Sequence, residues 1–211
     1  MSCVQQAAFM NQRSFGPPPI GSALGGGFYA GQISTTGNGV ATHNLIVGPL
    51  STAQSTLQWK SVNTSTSGTS SDIDGPANSA AMNNSTHPAA QFCEGLTVGG
   101  FSDWYMPARN ELEVMYFNLK PGTINNLQNS GINPNAVPSR ASNYTLSTPA
   151  QTSATIFRTG GSEPFAALRY WCSTESAATT AWAQEFYNGG QYSANPKNGS
   201  YRVRAVRRVA A

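Results

Sequence analysis

YWCSTESAATTAWAQEFYNGGQ, Tyr170 to Gln191, places two tryptophans, a cysteine and two glutamates in one short polar stretch. Its second half, AWAQEFYNG, alternates with the two-residue period of a strand, which puts Trp182, Gln184 and Phe186 on one face and Ala181, Ala183, Glu185 and Tyr187 on the other. Trp182 and Phe186 are then the natural core pair. Trp171 and Trp104 are expected to join them, because aromatic side chains bury large areas and anchor small cores.

Working outward, strand-like runs recur on both sides of this stretch. ATIFRTG and RYWCSTE precede it, and YRVRAVRRV follows it near the end of the chain. In the last run Tyr201, Val203 and Ala205 alternate with Arg202 and Arg204, so its arginines are expected to be sheet residues paired to carboxylates or solvent. Earlier, GGGFYAGQIS and THNLIVGPLS flank a Gly/Asn-rich turn and predict a hairpin. LQWKSV, Leu57 to Val62, predicts a further short strand.

Two helices are predicted. In STHPAAQFCEGL, Thr86 is placed to cap, Pro88 opens the first turn, and Ala89, Phe92, Cys93 and Leu96 recur at helical spacing. MPARNELEVMYFNLKPG carries a stripe of Leu112, Met115, Tyr116 and Leu119 between Pro107 and Pro121, with Arg109 and Glu113 spaced to pair on the solvent side. The Pro- and Asn-rich stretch from Thr123 to Gln151 is too long for an ordinary connection, and is therefore either functional or wrapped on the surface. Asn63 to Gly75 reads as a Ser/Thr-rich loop whose Asp72 and Asp74 make only a weak signal for a structural cation.

The chain of 211 residues fits one domain with an appended segment. Met1 to Leu24 has little periodicity and contains GPPPIGS, which favours an extended path; it reads as an attachment arm or a frayed terminus, followed by a domain over residues 25–211. Charged residues make up 10 % of the sequence, well below the roughly 25 % usual for soluble domains, so solvation rests on neutral polar groups. A net charge of +3 with one arginine cluster does not predict nucleic-acid binding. No segment reaches the ~20 apolar residues of a membrane span, and MSCVQQAAFMNQRSF lacks the form of a secretory leader. Cys3, Cys93 and Cys172 show no metal or redox spacing, which leaves pairing of Cys93 with Cys172 open. His43 and His87 read as hydrogen-bonded or solvated residues, and no metal site, cofactor or catalytic constellation is predicted.

GGFSDWYMPARNEL, YWCSTES, AWAQEFYNGG and YRVRAVRRV together resemble a bacterial and phage family of C-type-lectin-like domains, typified by the C-terminal domain of the Lcl collagen-like adhesin. The matching positions are Asp103, Trp104, Pro107, Glu111, Leu112, Trp171, Ser173, Thr174, Glu175, Trp182, Phe186, Gly189, Arg202, Val203 and Arg204. Tyr105, Met106 and Cys172 depart from the family pattern, and the calcium-chelating signature of sugar-binding C-type lectins is absent. GGGFYAGQ, DGPAN, THPAAQFC and INPNAVP add a likeness to tail or head fibre proteins of tailed phages.

The resemblance implies an α+β, C-type-lectin-like fold with two helices on short twisted antiparallel sheets, long loops and an extended N-terminal arm. It implies a virion appendage made in the host cytoplasm, joined to other virion proteins through the arm, repeated as a homo-oligomer, and adhering to a host-surface saccharide or protein without catalysis. A purely structural decoration or cementing protein of head, neck or tail is the alternative. A formylglycine-generating-like oxidase is the remote one. Within this frame Glu175 is expected to bridge to Arg204 or Arg202, and Tyr187, Asn188, Gln191, Tyr192, Asn195 and Lys197 are the candidate receptor contacts, since Tyr with Asn and Gly makes an adaptable recognition surface.

Overall fold

A computed structural model describes residues 16–211. The expected arm therefore falls mostly outside the described residues, and the part inside them joins the body: Tyr29 N–H donates to Ser22 O, and strand β1 (Ala23–Leu24) pairs with β2 (Gly27–Ile33). The predicted hairpin is present, with β2 antiparallel to β3 (His43–Val47). The chain then passes through a single helical turn, α1 (Leu50–Ala53), into β4 (Gln54–Gln58).

Helices α2 (Gly75–Ala81), α3 (Pro88–Glu94) and α4 (Arg109–Leu119) follow, then β5 (Ala136–Val137) and a short 3-10 turn at Thr155–Phe157. Five strands complete the chain: β6 (Arg169–Ala177), β7 (Thr180–Glu185), β8 (Gln191–Pro196), β9 (Ser200–Arg204) and β10 (Val206–Ala210). They form two sheets, one ordered β1-β2-β3-β10 with β5 beside β2, the other ordered β4-β9-β6-β7-β8. Apart from one parallel bridge, Tyr170 to Arg202, the pairings are antiparallel. This mixed architecture of few helices and mainly antiparallel sheets is compatible with the α+β class.

The chain crosses between the sheets twice, side by side. Ala205 separates β9 from β10, and its carbonyl accepts the Gly48 N–H at 2.9 Å where β3 leaves for α1. A Cβ at Gly48 would lie 2.3 Å from that of Ala53, so the crossing closes only around glycine. The core divides accordingly. Leu112, Met115, Tyr116 and Leu119 of α4 pack with Ile33, Leu45, Tyr170 and Phe186. A second cluster joins Trp59, Trp104, Trp171, Cys93, Met106 and Val203 beneath α2 and α3.

Several expectations are corrected. The first predicted helix is α3, but its N-cap is His87 and not Thr86; α2 is an extra helix opened by the Asp74 carboxylate and Pro76. ATIFRTG is no strand: Thr155–Phe157 is a 3-10 turn that buries Phe157 edge-on to Phe28 and near-parallel to Phe165. Gln191 to Pro196, which carries three of the candidate receptor contacts, is strand β8, held in register on β7. The strand expected at Leu57 to Val62 starts earlier, because Trp59 leaves the ladder to be fully buried. Arg109 and Glu113 do not pair on the solvent side; Glu113 is wholly buried, and Arg109 binds Asp72 at 2.8 Å.

Candidate functional site: a cleft at Trp182

The long segment between α4 and β6 is held by charges that α4 sends into it. Glu113 accepts from Tyr144 Oη and Asn133 Nδ2, both at 2.6 Å, and forms an ion pair with Arg140. Just beyond the helix, the buried Lys120 ammonium donates to Ile124 O at 2.6 Å, Asn126 Oδ1 at 2.7 Å and Pro149 O at 3.2 Å. Its pKa is lowered by burial. Tyr116 Oη also donates to Asn126 Oδ1, at 2.7 Å. At Gly131 the backbone has φ +109°, and a Cβ there would strike the Tyr144 ring at 2.3 Å, so the loop can lie this close only as glycine. Buried networks in which the carboxylate of Glu113 and the ammonium of Lys120 are each engaged by several partners hold one conformation, and the loop therefore presents a preformed surface.

That surface closes over β7 to leave a cleft of about 270 Å³ floored by Trp182 and walled by Arg109, Asn129, Ser130, Asn143 and Gln191. The Arg109 guanidinium stands 4.6 Å over the indole. Because it is also bound to Asp72, its charge is cancelled, and the remaining polar wall is amide and hydroxyl. Trp59, Trp104 and Trp171 are at most 1 % exposed, whereas Trp182 is half-buried. Trp59, Trp104 and Trp171 spend their indole N–H on Cys172 O, Phe101 O and Leu57 O respectively, while the Trp182 N–H has no partner among the described residues. The part of the indole that Arg109 leaves uncovered, bordered by neutral donors and acceptors, is chemistry that packs on a C–H-rich ring and hydrogen-bonds its hydroxyls.

The structure separates the six candidate contacts. Gln191 reaches the cleft, where its Oε1 takes the Gly131 N–H at 3.4 Å. Tyr187 is exposed but does not line it. Asn188 serves its own turn: Oδ1 accepts from Gly190 N–H at 3.0 Å and its carbonyl from Leu127 N–H at 2.8 Å. Tyr192 lies half-buried under Arg169, whose guanidinium is 4.5 Å above the ring. Asn195 is buried, donating to Tyr192 O at 2.7 Å and accepting from Arg169 at 3.0 Å.

Lys197 is wholly buried, and this changes the account of Glu175. The Lys197 ammonium, 4.7 Å from the Trp59 ring, donates to Thr64 O and Ala178 O, both at 2.9 Å, and forms the ion pair with Glu175. The expected bridge from Glu175 to Arg204 or Arg202 is thus replaced, because Arg204 is taken by Glu163 at 2.7 Å. Arg202 is half-buried beside a separate hollow of about 280 Å³ shared with Arg169 and Tyr201, and no described carboxylate pairs with it. Arg207 and Arg208 bind Asp103 at 2.7 Å and Glu111 at 2.6 Å, as sheet arginines should. Trp104, Trp171 and Phe186 are core residues as expected, Phe186 stacking on Phe165 at 4.1 Å. Trp182 is not sealed with them. Sequence reading missed Asn129 and Asn143, for which the length and Asn content of the 123–151 stretch were the available signal, and it gave Arg109 the wrong carboxylate.

The remaining chemistry is inward-looking. Asp72 is held by Arg109, and Asp74 caps α2 and lies 3.7 Å from Arg208, so guanidinium groups stand where a structural cation was considered. Among the described residues no group of three or more His, Cys, Asp or Glu is arranged to hold a metal, and no helix is long and apolar enough to cross a membrane. Cys93 and Cys172 are free, buried thiols in different core clusters. Burial raises both, Cys172 to about 12. His43 keeps a contact to Thr42 Oγ1 at 3.0 Å, and His87 sits against Thr66 Oγ1 at 2.9 Å with its pKa pressed down to about 4 by burial and by Lys60 and Lys197.

Residues 50–207 match the family model of the Lcl C-terminal domain, which covers well over half of the chain. The protein belongs to that family. No curated protein and no solved structure matches the chain.

Proposed function

We propose that this protein is a phage virion appendage, a tail or head fibre component, whose Lcl domain adheres to a saccharide on the host surface through the Trp182 cleft. Family membership supports an adhesin-like domain, and the likeness of several sequence blocks to phage fibre proteins supports the virion. Two mainly antiparallel sheets with a long, pinned loop over one face fit a C-type-lectin-like arrangement. One observation carries the saccharide reading: a single half-open tryptophan, its neighbouring arginine neutralised, set among amide and hydroxyl groups.

The same features disfavour catalysis, since the two described thiols are buried apart with raised pKa values, against the accessible, activated thiol an oxidase needs. Attachment to other virion proteins belongs to the N-terminal arm, with copies repeated symmetrically about it. Purified protein is tested for retention on a panel of bacterial cell envelopes, with and without Trp182→Ala. Retention that disappears in the variant supports adhesion. A protein that ignores every envelope while incorporating into particles supports the structural decoration role instead.

A further inference from the structure

A second hollow, of about 260 Å³, lies at the far end of α4 and is lined by Phe117, Arg140, Tyr144 and Asn143; Asn143 also walls the Trp182 cleft, so the two hollows share a rim. Arg109 and Phe117 stand eight residues apart on α4, about 12 Å at the helical rise, and the loop buries Glu113 between them. That distance exceeds a single sugar ring.

The two hollows are built alike. In the first, a guanidinium (Arg109) lies 4.6 Å over an aromatic ring (Trp182) and is neutralised by a carboxylate (Asp72). In the second, Arg140 lies 4.1 Å over Phe117 and is neutralised by Glu113. In both arginines the buried Nε–H has no hydrogen-bond partner among the described residues. Phe117 is half-buried and Asn143 exposed, so both remain within reach of a ligand. Repetition of a half-buried aromatic ring under a charge-cancelled guanidinium, on either side of one exposed amide, matches a repeating, uncharged ligand. An anionic polymer would need free cations, which neither hollow offers.

We infer that the Trp182 cleft and the Phe117 hollow are two subsites of one groove that passes over the loop at Asn143, and that the ligand is a neutral oligosaccharide of at least two residues, with Asn143 hydrogen-bonding at the junction. This rests on the saccharide reading above. The test is an array of neutral glucose-, mannose-, galactose- and N-acetylglucosamine-based oligosaccharides of one to six residues, read with the full chain and with Trp182→Ala, Phe117→Ala and Asn143→Ala, each checked by its melting temperature.

The expected result is a retained series in which disaccharides and longer chains bind about tenfold or more tightly than the monosaccharide, a difference of about 1.4 kcal/mol. Asn143→Ala and Phe117→Ala then reduce oligomer affinity to the monosaccharide level, and Trp182→Ala abolishes both. Affinity that is independent of length yet lost in Trp182→Ala overturns the two-subsite groove and leaves the saccharide reading intact. Absence of binding to any neutral sugar overturns both.

Discussion

Trp171 and Trp182 occupy neighbouring strands of one sheet and look alike as sequence, yet one is sealed and the other half open. Trp171 lies 4.5 Å from the Tyr201 ring in the cluster with Trp59 and Trp104, its N–H given to Leu57 O at 3.1 Å. Trp182 points to the opposite face, where a polar loop and Arg109 cover it incompletely. The lesson is that the covering element, not the strand pattern, decides whether an indole is core or contact. On the first face strands and helices supply apolar neighbours; on the second, a loop held by buried charges supplies amides.

The largest contrast is expected from truncating the two indoles. Trp171→Ala should cost about 3–5 kcal/mol of stability, as large core aromatics do; Trp182→Ala should cost distinctly less while abolishing retention on cell envelopes. Chemical denaturation of both variants measures the difference, and equal losses would erase the distinction between the faces. Nearly as large, Lys197→Met should cost about 3–5 kcal/mol, because it leaves Glu175 and two carbonyls facing an apolar chain. Arg202→Ala should stay within about 0.5 kcal/mol. The reverse order would restore Arg202 as the partner of Glu175.

A moderate effect is expected from acid. His87 titrates near 4 in the folded protein against an ordinary value of 6.5, so between those values the unfolded chain binds more protons. Stability contributed by keeping His87 neutral is therefore full above about 6.5 and is lost progressively as pH falls toward 4. His87→Gln should flatten the melting temperature in that window, and an unchanged slope would locate the acid sensitivity elsewhere. Smaller again, Asp103→Asn should cost at most about 1 kcal/mol, since the carboxylate facing Arg207 is more than half exposed. Smallest of all, a metal chelator should leave both melting temperature and envelope binding unchanged, as guanidinium and ammonium groups already occupy the carboxylates and carbonyls of the 63–75 loop.

Where local periodicity carries the information, the fold was legible. The β2-β3 hairpin, the α4 stripe from Leu112 to Leu119 and the alternating arginines of β9 follow from spacing alone. The site was less legible, because its parts are joined through distant segments. Glu175 finds a lysine 22 residues later with carbonyls from Thr64 and Ala178, which no pattern links. Glu113 satisfies the spacing rule for an exposed helix pair, but a loop folded over that face buries it. The period-two reading of β7 was right about which residues share a face and silent about what lies over it.

The most direct measurement is an indole ¹H–¹⁵N spectrum recorded while envelope polysaccharide from a host that the protein binds is added. The account predicts four indole signals, of which three exchange slowly and stay fixed, while the fourth, assigned by its loss in Trp182→Phe, exchanges rapidly with water and moves as the ligand is added. A Trp182 signal that stays still while the protein is bound would contradict it.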